Sequence, residues 1–141
     1  MTDQVVLTQE MTLEERFPGV VTPDTRKGYS GYRTPAENLL EVATALRDEL
    51  GYDYLSSATG VDYLESGQIE MVYHLYRTSG GPALVLKTQC DRNDPLLPSL
   101  VSVWKGAEFQ EREAYDMYGI RFDGHPDLRR ILMWEGFAGY P

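Results

Sequence analysis

Cysteine is nearly absent from this 141-residue chain: Cys90 stands alone, and there are only two histidines. A lone thiol cannot close a disulfide within the chain. Nor can it supply a four-cysteine iron–sulfur cluster or a structural zinc site. Electron carriers, if any work nearby, are therefore expected on other chains. Positive charge is also scarce, with 13 Lys and Arg against 22 Asp and Glu and a formal charge of −9. Phosphate recognition needs clustered Lys and Arg, so an acidic body argues against nucleic acid or anionic lipid as direct partners. No apolar run approaches the ~20 residues that a membrane helix requires, so no direct membrane insertion is expected. The opening MTDQVVLTQEMTLEE has neither the basic start and apolar core of a secretion signal nor the composition of a transit peptide. The expected location is the bacterial cytosol, or a mature organellar chain.

What is present reads as an ordinary soluble domain, 42% hydrophobic and 25% charged. Charge is unevenly spread: residues 1–33 sum to −1, residues 34–120 to −8, and residues 121–141 to zero. The last segment concentrates Arg121, Arg129 and Arg130, which suit protein carboxylates. Residues 1–33 are turn-rich, with Phe17-Pro18-Gly19, Thr22-Pro23-Asp24 and Gly28–Tyr32, and show no sustained period. They read as an irregular N-terminal arm, either mobile or docking Phe17, Tyr29 and Tyr32 on a partner. Residues 34–141 read as a single α+β domain. Thr34-Pro35-Ala36-Glu37 predicts a capped helix start with a capping box, and Gly51 a stop. Between them Ala36, Leu39, Leu40, Ala43, Leu46 and Leu50 form an apolar stripe. Three strands follow, over 52–61, 69–77 and 83–89, joined by linkers short enough for hairpins. In the middle one, Ile69, Met71, Tyr73 and Leu75 alternate with Glu70, Val72, His74 and Tyr76. His74 reads as a packed or hydrogen-bonded side chain rather than a ligand. Pro98 predicts a helical stretch that buries Leu96, Leu97, Leu100, Val101 and Trp104, ahead of a second helix from about Ala107. The architecture expected is an N-terminal helix on a small, mainly antiparallel sheet, followed by C-terminal helices and an extended GHPDLRR segment.

The densest stretch is residues 111–132, EREAYDMYGIRFDGHPDLRRIL. If 108–118 is helical, Glu108, Arg112 and Asp116 share one line, so one guanidinium could serve two carboxylates. Glu111 and Tyr115 share a second line. Gly119 suits a left-handed helix stop, and Asp123-Gly124-His125-Pro126 a turn. Three uses of this stretch stay open on the residues alone. Glu111, Glu113 and Asp116 with His125 could do acid/base work as a small enzyme or binding module. Asp123, His125 and Asp127 could hold a metal. Otherwise the charges form an internal lattice or a docking surface, for which Tyr, Met and Arg are suited.

The stretch resembles the signature of the C-type (30 kDa-type) subunit of respiratory complex I, the proton-pumping NADH:quinone oxidoreductase. The resemblance is carried by Glu111, Arg112, Glu113, Tyr115, Asp116, Met117, Tyr118, Gly119, Ile120, Phe122, Gly124, His125, Pro126, Asp127, Leu128, Arg129, Arg130, Ile131 and Leu132. Weaker likeness runs back to about residue 34. What it implies is a non-catalytic scaffold on the cytoplasmic side of the bacterial membrane, peripheral and holding no cofactor. FMN, iron–sulfur clusters and quinone would lie in other subunits. The neighbours implied are the quinone-pocket subunit of the D type and iron–sulfur subunits of the B and I types. The signature residues would then be structural or at interfaces with those neighbours, with none catalytic, cofactor-binding or metal-binding. Related subunits occur in membrane-bound hydrogenases and ferredoxin-linked complexes, which is the alternative context.

Overall fold

The computed structural model describes residues 13–26 and 31–126. In chain order these hold a short helix α1 (Leu13–Arg16), strands β1 (Thr22–Pro23) and β2 (Tyr32–Arg33), and helix α2 (Leu39–Asp48). Strands β3 (Tyr54–Tyr63), β4 (Gln68–Tyr76) and β5 (Leu84–Asp91) follow, then β6 (Leu96–Pro98), helix α3 (Ala107–Tyr118) and β7 (Arg121–Asp123).

Alternation fixes the centre of the fold. Ile69, Met71, Tyr73 and Leu75 all point to one face of β4 and are 3% exposed or less. A β-strand sends successive side chains to opposite faces, so this stripe must be covered. It joins one core with Leu39, Val42, Ala43, Ala45 and Leu46 of α2 and Leu86 of β5. β3, β4 and β5 form the expected antiparallel meander. On the other face of β4, His74 Nδ1 lies 3.1 Å from Ser57 Oγ, a hydrogen-bonded histidine as expected.

Two strands extend the sheet beyond that expectation. β1 and β2 make an antiparallel pair, and β2 lies parallel to β5, which gives the order β1-β2-β5-β4-β3. Leu13, Phe17 and Val21 enter the same core. Phe17, which the sequence left able to dock on a partner, is instead buried in its own chain. Tyr32 is partly buried against that core, and Tyr29 lies outside the described residues.

An ion-pair network ties this hairpin to the outer face of the sheet. Asp24, its side chain fully buried, accepts from Arg26 Nη2 at 2.7 Å and from Lys87 Nζ at 2.6 Å. Arg26 Nη2 also donates to both oxygens of Glu70 at 3.1 Å. That explains how Glu70 sits buried on a face that otherwise meets solvent, since a buried charge survives only when paired. The Arg26 guanidinium holds the Asp24 carboxyl well below the usual carboxylate range; burial opposes this and Lys87 assists it. A carboxylate depressed in the folded state lends stability above its unfolded pKa, about 3.9, and withdraws it as pH falls through the folded value. Asp24→Asn should therefore cost about 2 kcal/mol at neutral pH. In urea titrations the gap between parent and variant should narrow below pH ~4, and a gap that holds constant to about pH 3 would contradict the latch.

The entry to α2 corrects the predicted capping box. Thr34 N–H donates to Lys87 O at 2.9 Å, which keeps Thr34 extended beside β5. No side-chain cap forms, and residues Ala36–Asn38 make a 3-10 turn before the α-helix begins at Leu39. Because sheet pairing claims the Thr34 backbone, the helix starts later and its buried stripe rotates. Val42 and Ala45 are buried, whereas Leu40 is 41% exposed.

The second correction falls after Pro95. Instead of a helix from Pro98, residues Leu96–Pro98 pair in parallel with Arg121–Asp123. Ser99 N–H donates to Asp123 O at 2.8 Å and Arg121 N–H to Pro95 O at 2.9 Å, so this small ribbon takes the backbone groups a helix would have used. A turn follows, closed by Trp104 N–H to Leu100 O at 2.8 Å, and then a second that leads into α3. Leu97, Leu100 and Trp104 are buried as expected, while Leu96 is exposed. Among the described residues one C-terminal helix, α3, stands where two were expected, and the Asp127–Arg130 part of the GHPDLRR segment lies outside them. No helix among the described residues is long and apolar enough to cross a membrane.

Candidate functional site

Helix α3 carries the first half of the signature. It ends as predicted at Gly119, whose φ of +74° lets its N–H reach back to Tyr115 O. The helix runs beside the outer edge of β3, the last strand of the sheet. An open edge offers unpaired N–H and C=O groups, and α3 occupies several of them. Gln110 Oε1 accepts from Ala58 N–H, and Gln110 Nε2 donates to Ser56 O. Further along the helix, Tyr118 O–H donates to Gly60 O at 3.1 Å. The Tyr118 ring lies against Gly60, where a Cβ would stand 2.6 Å from Cε2. Glu113, Ala114, Met117 and Tyr118 line a groove of about 240 Å³ against Ala58, Thr59 and Gly60.

Glu111 turns the other way and is 0% exposed. Its Oε1 accepts from Ser99 Oγ–H at 2.6 Å and its Oε2 from Leu100 N–H at 2.7 Å. One carboxylate thus ties α3 to the turn that follows β6. Burial pushes its pKa up, while the Leu100 amide, the Ser99 hydroxyl and nearby His125 pull it the other way. The His125 ring is buried too, 4.0 Å from Glu111 Oε1. Its Nε2 lies 2.9 Å from Glu108 O, and because a carbonyl only accepts, that nitrogen carries the hydrogen. The turn at Gly124, with φ of +90°, delivers the imidazole to this position, and Pro126 follows on the surface.

The predicted charge ladder does not form. Arg112 makes no hydrogen bond or ion pair with Glu108 or Asp116 among the described residues, and its Nε is buried without a partner there. Asp116 is fully buried on α3. Helical spacing placed the three residues on one line correctly; the sheet edge and the β6 turn decided which way each side chain turned. Glu111 and Gln110 make the tertiary ties instead. Gln110 was not singled out in the sequence, because a lone glutamine on a helix carries no periodic signal.

Of the acid/base candidates among the described residues, Glu111 and His125 come within 4.0 Å of each other and Glu113 faces elsewhere. Glu111 spends both oxygens on structural donors, and Glu113 lines the groove, away from Glu111 and His125. Tyr115 is half-buried. Asp127, Leu128, Arg129 and Arg130, the other signature residues, lie outside the described residues. A metal set of Asp123, His125 and Asp127 meets the same limit, and no metal-holding cluster occurs among the described residues.

Comparison with known proteins gives the family. The chain is 46% identical over 107 residues to the C subunit of NADH-quinone oxidoreductase from Moorella thermoacetica, covering 76% of this chain and 72% of that one. It is 48% identical over 108 residues to the C/D subunit of NADH-quinone oxidoreductase from Phocaeicola vulgatus, covering 76% of this chain but 21% of that longer protein. Across the first three curated relatives the match spans 64–72% of their length. Among solved structures, the trypsin-resistant fragment (1–134) of Nqo5 superposes with a TM-score of 0.62 at 30% identity, covering 91% of this chain and all of the fragment. A chain of an archaeal membrane-bound sulfane sulfur reductase shares the fold with a TM-score of 0.69 at 23% identity, covering 89% of this chain and 72% of its own. Residues 32–141 match the family described as the respiratory-chain NADH dehydrogenase 30 Kd subunit, and the chain belongs to that family.

Proposed function

We propose that this chain is a non-catalytic scaffold in the hydrophilic arm of a proton-pumping NADH:quinone oxidoreductase, on the cytoplasmic face of a bacterial membrane. The observation that carries the reading is where the signature's polar groups go. Glu111, His125 and Tyr118 of the signature, with neighbouring Gln110, are spent on Ser99, Leu100, Glu108 and the β3 edge, so these groups are occupied in fixing a shape. In this reading FMN, iron–sulfur clusters and quinone sit in neighbouring subunits, and this chain holds no cofactor. The C/D relative supports a D-type neighbour as the principal partner; iron–sulfur subunits of the B and I types complete the surroundings. Its contribution to turnover is positional: displacing a reacting geometry by ~1 Å can cost ~100-fold in rate.

The test is to purify a tagged chain from its native cells and identify what accompanies it. The expected result is a redox assembly with NADH:quinone reductase activity that disappears when the gene is deleted. On the motif alone, Arg129→Ala or Arg130→Ala should leave the chain folded while weakening retention of the D-type neighbour. Recovery of the chain by itself, turning over a small molecule while the redox assembly forms in its absence, would overturn the proposal. A second reading keeps the scaffold but changes the electron donor, to that of a hydrogenase or ferredoxin-linked complex. The fold shared with the sulfane sulfur reductase chain is compatible with both. Neighbouring genes for an FMN-binding, NADH-oxidising subunit or for a nickel-ligating subunit separate them.

A further inference from the structure

The last described residues form a turn that aims the chain. Helix α3 ends at Gly119, yet His125 Nε2 lies 2.9 Å from the carbonyl of Glu108, in the first turn of that helix. Residues 119–125 therefore run back along α3, from its end towards its start. Phe122–His125 then reverse the direction: His125 N–H donates to Phe122 O at 3.1 Å, with Gly124 at φ +90°. The chain leaving this turn heads along α3 again, now in the helix's own direction. Pro126 keeps His125 out of the helical region, so the departure is extended.

Spacing then matches the two elements. An extended run rises ~3.3 Å per residue and sends alternate side chains to one side, so His125, Asp127 and Arg129 face the same way. A helix rises only ~1.5 Å per residue. Asp127 stands about 6.6 Å beyond His125, and Arg112 about 6 Å beyond Glu108. Arg129 stands about 13 Å along, level with Asp116 at about 12 Å. With His125 fixed on Glu108, the facing charges are opposite at both later levels. Asp116 gives the match its weight: it is 0% exposed, and a buried carboxylate persists only when a counter-charge or donors meet it.

We propose that residues 127–130 dock along α3 with the Arg129 guanidinium on the Asp116 carboxylate, leaving Arg130, one step on, facing outwards. The two adjacent arginines of the signature then differ in kind. Arg129 closes the chain on itself, and Arg130 is the cation open to a neighbour. The inner pair concerns this chain alone, so it and the scaffold reading stand or fall separately.

Thermal melts of the purified full-length chain test the pair with neutral variants. Arg129→Gln should lower the melting temperature by about 8 °C or more, because it strands a buried carboxylate, while the chain stays folded at 25 °C. Adding Asp116→Asn removes the stranded charge and should recover about half of that loss or more. Arg130→Gln should melt within about 2 °C of the parent, as an exposed charge does. Equal effects of Arg129→Gln and Arg130→Gln overturn the pairing. So does an Asp116→Asn loss that adds in full to that of Arg129→Gln, which would assign the cation on Asp116 to another part of the chain or to a neighbouring polypeptide. If Arg129→Gln alone does not fold, the double variant decides: its folding supports the pair, and its failure to fold overturns it.

Discussion

Glu111→Ala lowers the stability of this protein by about 3–5 kcal/mol, the cost of removing one member of a buried charged network. The substitution leaves Ser99 Oγ and Leu100 N–H facing a void where the carboxylate accepted both. For a chain of this size that is a fall in melting temperature of roughly 10 °C or more. Glu111→Gln is the informative companion. Its carbonyl can keep the Leu100 amide, and the Ser99 hydroxyl can turn to accept from the new amide, so the loss should be about 1 kcal/mol or less. The two variants also differ in pH dependence. Burial raises the Glu111 pKa in the folded state, so its contribution is complete below the unfolded value and is lost as pH rises through the folded one. Glutamine has no such proton. The stability gap between parent and Gln variant should therefore narrow in denaturant melts as pH is raised, with the variant gaining ground. If Glu111→Ala melts within about 2 °C of the parent, the carboxylate does not tie α3 to the β6 turn.

Gly31→Ala is expected to detach the β1–β2 hairpin. The residue sits at φ +95°, and a Cβ there would stand 2.6 Å from Val85 O and 2.8 Å from Val85 Cβ. Neither atom is the end of a flexible side chain, so β2 itself would have to move away from β5. Backbone strain of about 1–3 kcal/mol adds to that clash, for a total of about 4 kcal/mol. The pairings Tyr32↔Leu86 and Arg33↔Lys87 would be lost with it. Gly67→Ala serves as the control, since φ is +72° there but nothing lies within 4 Å of the added methyl. It should cost only about 1 kcal/mol. Limited proteolysis should cut the Gly31 variant near residues 24–33 well before the Gly67 variant; equal resistance would show that the hairpin does not depend on this close approach.

Periodicity carried much of the fold. The meander was legible because β4 alternates over nine residues and its linkers are short, and α3 because its charged residues recur at helical spacing and Gly119 marks its end. β1 and β2 were not, because two-residue strands have no period. Their pairing is decided by β5, more than fifty residues away in the chain, a contact no local pattern records. The helix expected from Pro98 failed for a related reason: Leu96–Pro98 is apolar and short, which suits strand or helix equally, and the parallel partner at Arg121–Asp123 settled it. In the site, the identity of the signature residues was plain but their partners were not. Spacing placed Glu108, Arg112 and Asp116 on one line of α3. It could not say that Glu111, one step round the helix, would meet Ser99.

The Gln110 and Tyr118 bonds to β3 have a consequence for synthesis. Ser56 and Gln110 are 54 residues apart, an interval of roughly 3–11 s at ordinary elongation rates. Once β4 and β5 have been made within that interval, the meander can zip up on the nascent chain with β3 still bare, able to recruit a strand from a neighbouring polysome. Whatever slows the ribosome between these codons prolongs that exposure, and a product terminated before residue 107 never ends it.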